Sequence, residues 1–525
     1  MQVIKRLIFK ARLPCTSFIK RPFTLINPIL MDIIATKPIE SREQDIYGDL
    51  PMIQSIEVIP LNFTSLKDLT AEDANKQIYV RARIHNSRAK ANLAFLELRQ
   101  NFTTIQAAVF KSDVITKEMI KYIGSVQKES IVDVLGTLKS VPQEIKGCSI
   151  KNLELHIERF YVINRSSNVL PFQLEDASRP ITKKEEEATA EVPEGPIVTL
   201  TTRLDNRSVD LRTPANQAIF RIQSAVCKLF RSFLDEQDFI EIHTPKLLGG
   251  SSEGGANVFR FEYFGKPGCL AQSPQLFKQM MVMADFERVY EIGPVFRAEN
   301  ANTHRHLCEF TGLDVEMSIK QHYSEILEII GNLFTYIFRN LIQNYAKELA
   351  AINQQFAFEP FLVPEKPVIL DYHTGIKMLN DNGVEQSVDE DLTTVNERIL
   401  GKLVREKYAT DFYILHRYPE SARPFYTMLC KDDPKFTCSY DVFMRGEEII
   451  SGAQRIHDPV LLKERALAKG IKPETIKEYI DAFKFGAYPH GGFGVGLERV
   501  VMLFCDLGNI RKASAFPRDP QRLSP

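Results

Sequence analysis

Apolar and polar residues alternate along several short segments between residues 77 and 163. In residues 78–84 an apolar side chain stands at every second position, which is the period of a strand with one buried face. The same alternation predicts four more strands, at residues 93–99, 104–110, 131–138 and 153–162. Five short strands this close together predict a small closed β-barrel.

The alternation also separates the inward face of this barrel from its outward face. The OB-fold is the commonest five-stranded candidate. Phe95 falls outward beside Glu97 and Arg99, and Gln106 falls outward on the next strand. An exposed ring flanked by polar side chains suits an unstacked base, although the pattern alone favours a surface aromatic residue without a function. The positions predicted to face inward are Ala94, Leu96, Leu98, Ile105, Ala107 and Val109.

Beyond the barrel the pattern predicts a large α+β domain. Residues 183–196 are charged, contain proline and show no periodicity, as in a linker. Helical spacing of apolar residues follows from Ile219 to Leu234, and then a short strand over residues 239–244 that stops at Pro245. Two antiparallel strands are predicted at residues 289–297 and 310–317, with a long polar loop between them at residues 298–308. Mostly helical sequence follows over residues 320–420.

The predicted organisation has four parts. They are a basic leader over residues 1–46 that we expect to be disordered, an OB-fold domain over 47–168, a linker or hinge over 169–200 and the large α+β domain over 201–525. The leader has six basic residues and no acid before Asp32, which is typical of a mitochondrial presequence. A start at Met31, or a disordered basic arm, explains it equally simply, and we favour that interpretation.

Composition narrows the class of function. Among 525 residues, 66 Lys and Arg balance 67 Asp and Glu, for a net charge of −1, so binding of a nucleic acid requires a local basic patch. No stretch approaches 18 uninterrupted apolar residues, which argues against a membrane-spanning helix. The eight cysteines are scattered without a CxxC pair, which favours a reducing compartment, and we predict a cytoplasmic location.

Three separated blocks could carry chemistry. Arg297 ends a strand, where its fork suits both a phosphate and a carboxylate. Asp441 and Glu448, with Ser451 nearby, could hold Mg²⁺ on a nucleotide phosphate. For each of these residues alone, a surface ion pair is the simpler explanation. A glycine-rich run over residues 490–499 ends in an apolar helix, but its GxGxG spacing and the absence of a βαβ unit argue against a dinucleotide fold.

Taken together, the three blocks resemble the signatures of the class II aminoacyl-tRNA synthetases, in the order of that family. These signatures are a helix and strand ending at Pro245, FRAE at 296–299 and GLER at 496–499. Further motifs resemble the aspartate-specific branch of eukaryotic cytosolic type: SSEGGANVF at 251–259, QSPQLFKQ at 272–279, THRHL at 303–307, ISGAQRIHD at 450–458 and NIRKASAFPRDP at 509–520. The resemblance covers about residues 47–525.

The resemblance implies an enzyme that joins L-aspartate to tRNA(Asp) in cytosolic translation. ATP would be the second substrate, Mg²⁺ the metal ion, and an aspartyl-adenylate the intermediate, with AMP and pyrophosphate released. The implied fold is an OB-fold anticodon-binding barrel followed by a mixed, mainly antiparallel sheet flanked by helices. A homodimer through the segment ending at Pro245 is also implied.

Carried over by motif, the resemblance assigns roles to individual residues. The implied catalytic residues are Arg297, Arg499 and Glu299. The implied aspartate site comprises Ser251, Glu253, Gln275, Lys278, Arg297, Asp314, Ser451 and Arg455. The implied ATP site comprises Arg297, Glu299, Arg305, His306, Leu307, Phe310, Glu448, Gly496 and Arg499. Asp441 and Glu448 would hold the metal ion, and the anticodon would meet Arg88, Phe95, Gln106 and Glu154.

Two other functions compete with this interpretation. An asparagine-specific enzyme is disfavoured by Lys278, because a neutral amide needs no buried cation. A related amide-forming ligase, the other form of this enzyme alternative, is disfavoured by the barrel. An RNA-binding paralogue without activity is disfavoured because the signature arginines Arg297, Arg455 and Arg499 are all present. The chain departs from the family pattern where Ala301 replaces serine and where Tyr488 and Phe493 replace small residues or proline.

Overall fold

The computed structural model describes residues 45–56, 61–180, 195–250 and 258–525. The predicted leader up to residue 44, most of the charged linker and the positions of Ser251 and Glu253 lie outside these ranges. The described residues form two compact units, one ending at Asn168 and the other beginning at Val169. Among the described residues, none of the helices combines the length and the apolar character needed to span a bilayer.

The first unit is the closed five-stranded barrel predicted from the sequence. The strands join in the order β6-β4-β3-β2-β5, and pairing of β5 with β6 closes the barrel. Its core contains the inward positions named above, from Ala94 to Val109. The elements are β1 (Tyr47–Asp49), β2 (Gln77–Lys90), β3 (Leu93–Gln100), β4 (Thr103–Phe110), α1 (Lys117–Ser125), β5 (Ile131–Ser140) and β6 (Leu153–Asn164), with short 3-10 turns at Leu66–Asp68 and Ala71–Asp73.

One outward position in the barrel differs from the prediction. Arg99 is 4% exposed rather than solvent-facing. It donates from Nη2 to Glu129 Oε2 at 2.7 Å, and its Nη1 lies 2.6 Å from His85 Nδ1. The alternation therefore assigned the correct face of the strand, but Glu129 and its neighbours cover the end of that face. Phe95 and Gln106 remain accessible, as predicted.

The second unit is built around a mixed sheet in which most neighbouring strands are antiparallel, which confirms the predicted fold class. Its strand order is β13-β14-β15-β16-β17-β12-β11-β7, and only the two outermost pairs are parallel. The strands are β7 (Ile240–Glu241), β11 (Arg288–Phe296), β12 (Glu309–Ser318), β13 (Val368–Asp371), β14 (Phe412–His416), β15 (Ser439–Met444), β16 (Glu447–Gln454) and β17 (His490–Gly496). A small separate sheet contains β8 (Leu247–Leu248), β9 (Arg260–Tyr263) and β10 (Lys266–Leu270).

Helices cover one face of the large sheet and bury the main core. Amphipathic helices α5 and α7 and the apolar helix α13 supply much of that core. The helices are α2 (Leu174–Ser178), α3 (Leu200–Asp205), α4 (Arg207–Asp210), α5 (Pro214–Asp235), α6 (Gln275–Met283), α7 (Ser324–Asn344), α8 (Ala346–Gln355), α9 (Tyr372–Asp381), α10 (Thr394–Tyr408), α11 (Pro459–Ala468), α12 (Lys477–Phe483) and α13 (Leu497–Phe504). Short 3-10 helices are Glu420–Ala422, Pro473–Ile476 and Ile510–Ala513.

Several expectations for this unit need correction. The strand expected at 239–244 is reduced to β7, two residues long. The region expected to be mostly helical contains two strands, β13 and β14. The glycine-rich run, for which no element was predicted, is the strand β17. Within the predicted linker, α2 is folded into the second unit: Ala177 is fully buried and its carbonyl accepts hydrogen bonds from Arg203 and Gln355.

Candidate active site and nucleic-acid interface

One cavity of about 370 Å³ opens on the face of the large sheet opposite the main helical core. Strand β12 shows how the sequence builds its floor, because side chains alternate between the two faces of a strand. Phe310, Gly312 and Asp314 line the cavity, whereas the intervening Leu313 and Val315 pack into the core. The loop between β11 and β12 and the first turn of α13 close further sides.

The glycines of β17 make room for two carboxylates on the neighbouring strand. A Cβ atom at Gly494 would stand 2.9 Å from Asp314 Oδ1, and one at Gly492 would stand 2.3 Å from Glu316 Oε2. Both positions therefore need glycine because a larger residue would collide with a buried carboxylate. Phe493, between them, points to the other face and is fully buried in the core.

At the inner end of the cavity, two cations converge on one buried carboxylate. Arg455 donates from Nε to Glu316 Oε1 at 2.9 Å, and Lys278 Nζ lies 3.5 Å from Glu316 Oε2. Burial alone would raise the pKa of Glu316, but the charges of Arg455 and Lys278 outweigh it and lower that pKa. The two cations, far apart in sequence, thus share one site.

The two cations differ in what they can still bind. The ammonium of Lys278 is 3.1 Å from Asp314 Oδ1, 3.3 Å from the Val315 carbonyl and 3.0 Å from the Phe493 carbonyl, which accounts for its three donors. Lys278 lies behind the cavity wall, whereas Arg455 lines the cavity. Arg455 donates from Nε and Nη2, but its Nη1 donates to no acceptor within the described ranges.

A chain of hydrogen bonds holds Gln275 and Arg455 in place. Arg455 Nη2 donates to Gln275 Oε1 at 3.3 Å, and Gln275 Nε2 donates to Gln279 Oε1 at 2.9 Å. Gln279 Nε2 is 2.9 Å from His490 Nε2, and His490 Nδ1 is 2.7 Å from the Tyr488 carbonyl. These hydrogen bonds require a neutral His490 that donates from Nδ1 and accepts at Nε2. Burial lowers the pKa of His490 to about 4, which favours this neutral form.

The neutral His490 makes a prediction about stability and pH. Its pKa in the folded protein is about 4, whereas the ordinary value for histidine is 6.5, so acid favours the unfolded chain between these values. When the pH falls from 7 to 5, the free energy of unfolding should decrease by about 2 kcal/mol more in the wild-type protein than in His490→Gln. Urea denaturation of both proteins at each pH measures this difference. An equal acid sensitivity in the two proteins would contradict a buried, neutral His490.

Asp441 occupies a different place from the one expected of a metal ligand. Its two oxygens accept from Arg423 Nη1 and Nη2 at 2.8 and 2.6 Å, and Asp441 does not line the cavity. Arg423 does line it and also donates to Ser451 Oγ at 2.8 Å.

Glu448 lines the cavity, and burial, with the charge of Asp441, raises its pKa. Across the described ranges, no group of three or more His, Cys, Asp or Glu side chains is placed to hold a metal ion.

The outer end of the cavity carries the remaining arginines. Arg297 is exposed, and its guanidinium carbon lies 5.5 Å from the centre of the Phe310 ring. Arg499 donates to the carbonyls of Glu448 and Arg305 at 3.1 and 3.2 Å, and burial lowers its pKa. Glu299, His306, Leu307 and Gly496 also line this end. The cavity is therefore cationic where a polyphosphate would enter.

The structure thus brings most of the proposed site residues together and adds two that the sequence analysis did not identify. Glu316 could have been found, because it stands two residues after Asp314 and therefore shares its face of the strand. Arg423 had no comparable signal, because it follows the short 3-10 helix Glu420–Ala422 in an irregular segment and reaches the cavity only through the tertiary fold. Ser251 and Glu253 lie outside the described residues.

In the barrel, the four proposed anticodon residues lie on adjacent strands. Arg88 pairs in register with Phe95, and Gln106 pairs in register with Glu154. Gln106 Nε2 donates to Glu154 Oε2, which fixes the amide. Phe95 is 36% exposed and Arg88 is exposed. An aromatic ring, a cation and an oriented amide therefore share one accessible surface.

Comparison with known proteins agrees with both units. The family model "tRNA synthetases class II (D, K and N)" matches residues 199–520, and the model "OB-fold nucleic acid binding domain" matches residues 78–163. The cytoplasmic aspartate–tRNA ligase of Homo sapiens is 51% identical over 486 residues, 93% of this chain and 96% of that protein. The corresponding protein of Caenorhabditis elegans is 50% identical over 486 residues, 93% of this chain and 92% of that protein.

A solved structure shows the same likeness in three dimensions. The crystal structure of a putative aspartyl-tRNA synthetase from Leishmania major Friedlin superposes with a TM-score of 0.85 at 46% sequence identity, covering 91% of this chain and 98% of that one. The match includes the barrel, the mixed sheet and the ordered signatures on it. The chain therefore belongs to the class II tRNA synthetases and, within them, to the aspartate–tRNA ligases.

Proposed function

We propose that this chain ligates L-aspartate to tRNA(Asp) through an aspartyl-adenylate, using ATP and releasing AMP and pyrophosphate. The observation that carries the proposal is Arg455, a buried cation in the cavity wall whose Nη1 is not engaged within the described ranges. A side-chain carboxylate of the substrate can meet this nitrogen. Because an unpaired buried charge costs several kcal/mol, a cation here favours an acidic amino acid over a neutral amide.

Lys278 supports this selectivity from behind the wall. Its ammonium group forms ion pairs with Asp314 and Glu316, so the negative charges of two buried carboxylates around the substrate are neutralised. Gln275 and the two positions outside the described residues, Ser251 and Glu253, are the proposed partners of the substrate amino group. Asp314 and Ser451 line the same space and would shape the pocket.

Activation requires attack of the substrate α-carboxylate on the α-phosphorus of ATP, with pyrophosphate leaving in line. The enzyme supplies position and charge, so no general base is needed. Arg297 neutralises the α-phosphate as charge moves onto it, and Arg499, with Arg305 and His306, holds the rest of the triphosphate. Phe310 and Arg499 flank the adenine, and Glu299 accepts from its amino group.

Mg²⁺ fits the residues that are present. Glu448 lines the cavity, and burial together with the charge of Asp441 raises its pKa, an effect that a bound cation would oppose. Mg²⁺ commonly takes one or two protein carboxylates plus substrate phosphates. We therefore assign Glu448 to the metal ion, while Asp441 fixes Arg423. When bound, the ion would neutralise triphosphate charge.

A homodimer through α5 and β7 is part of the proposal. Ile240 and Leu247, near that segment, are 49% and 57% exposed, which suits a covered surface in an assembly.

The matched relatives are cytoplasmic by name, and a cytoplasmic location is proposed for this chain as well. The mitochondrial alternative depends on the leader, which lies outside the described residues.

Aminoacylation tests the proposed function. Purified protein with ATP and Mg²⁺ should attach labelled L-aspartate to a tRNA(Asp) transcript and leave a tRNA(Asn) transcript uncharged. Labelled L-asparagine on either transcript is the matched control. Charging with asparagine in preference to aspartate, or no charging at all, would overturn the proposal.

A further inference from the structure

The outward face of the barrel carries a row of side chains that crosses four neighbouring strands. The register places Arg88 opposite Phe95, Phe95 opposite Ala108, and Ala108 opposite His156. Side chains paired in this way across a sheet stand on the same face. Phe110 pairs with Leu93 and so lies on that face too, diagonal to Phe95.

The aromatic members of this row are in contact. The rings of Phe95 and Phe110 have centroids 6.2 Å apart and stand at 90° to each other. The rings of Phe110 and His156 have centroids 5.4 Å apart at an angle of 59°. Ala108 is fully buried although it points outward and away from the barrel core, as expected where neighbouring rings cover it. The three rings therefore form one continuous aromatic surface.

This surface remains accessible. Phe95 and Phe110 are 36% and 42% exposed, and the side chain of His156 is 39% exposed. Next to it lies the polar pair of Gln106 and Glu154. His156 Nε2 is 2.9 Å from Glu154 Oε1, and Gln106 donates to the other oxygen of the same carboxylate. The hydrogen bonds fix the His156 ring at the edge of the surface.

We propose that Phe110, with the His156 ring packed beside it, forms a second base-stacking platform next to Phe95, so that the barrel takes two unstacked bases of the tRNA anticodon loop. This inference rests on the proposed function. Two perpendicular rings cannot both stack on one flat base, so each phenyl ring offers a face to a different base. Arg88, at the end of the row, supplies a cation for the intervening phosphate.

The test measures binding of a hairpin RNA with the tRNA(Asp) anticodon loop by fluorescence anisotropy. Phe110→Leu keeps apolar volume but removes the ring face, and it should weaken binding about 5-fold to 150-fold, the usual loss for one stacked base. Phe95→Leu should weaken binding by a similar factor. Phe63→Leu, at an exposed ring elsewhere on the barrel, is the matched control and should bind normally. Aspartate-dependent pyrophosphate exchange should be unchanged in Phe110→Leu and in Phe63→Leu.

Hairpins that lack one base at a time assign each ring to its base. Removing the base that stacks on Phe110 should weaken binding by the wild-type protein but not by Phe110→Leu. Removing a second, different base should weaken binding by the wild-type protein but not by Phe95→Leu. Normal binding by Phe110→Leu, dependence of both variants on one base, or an equal loss in Phe63→Leu would overturn the second platform. If the wild-type protein fails to prefer this loop to an unrelated one, the proposed tRNA(Asp) specificity itself fails.

Discussion

Replacing Lys278 with methionine should reduce aspartate-dependent pyrophosphate exchange by at least about 100-fold, as expected for a lost buried ion pair of about 3 kcal/mol. The variant would leave Asp314 and Glu316 sharing the single charge of Arg455. The site would then repel the acidic side chain that it is proposed to bind. The loss should appear mainly in KM for aspartate, with KM for ATP little changed.

Lys246→Met is the matched control for this variant. Lys246 also forms an ion pair, with Glu291 at 2.5 Å, but does not line the cavity. Because breaking a buried pair also costs stability, the melting temperature of each variant must be measured beside its rate. A folded Lys278→Met protein with a rate close to that of the wild type would show that this cation has no part in aspartate binding.

Replacing Arg297 with alanine should lower kcat for adenylate formation by about 10²-fold to 10³-fold, the usual cost of removing a group that stabilises transition-state charge. Arg297 is exposed at the cavity mouth and does not support the core, so the melting temperature should hardly change. The loss should persist at saturating ATP and aspartate, because the interaction strengthens as charge develops.

Two further variants separate the role of Arg297 from a general effect of charge. Arg297→Lys keeps the charge but not the planar fork, so an intermediate rate is expected. Arg288→Ala, at the other end of the same strand, should leave the rate unchanged, since Arg288 contacts the Gln237 carbonyl outside the cavity. An unchanged kcat in Arg297→Ala would remove Arg297 from the chemical step.

The barrel could be predicted from the sequence because its strands have one buried and one accessible face. Their bounds agree with the alternation to within two residues at each end except at β2, which runs on to Lys90. The large sheet was harder for a physical reason. Strands β13 and β14 lie among helices, and a short apolar run such as FYILH in β14 has no alternation that distinguishes it from a buried helix.

The site could be predicted only where motifs or strand geometry point to it. Arg297, Arg455 and Arg499 belong to recognisable blocks, and all three line one cavity. The partners of the cations could not be assigned in the same way. Whether a carboxylate such as Asp441 faces a metal ion or an arginine depends on which side chain the fold places beside it, and Arg423 is separated from it by 18 positions.

The central claim is that buried cations select an acidic amino acid for activation. Pyrophosphate exchange by the wild-type protein, without tRNA, compares L-aspartate and L-asparagine directly. We expect exchange with aspartate and at least about 100-fold less with asparagine, since a neutral amide cannot replace a paired charge. Equal exchange with both amino acids, or faster exchange with asparagine, would contradict it.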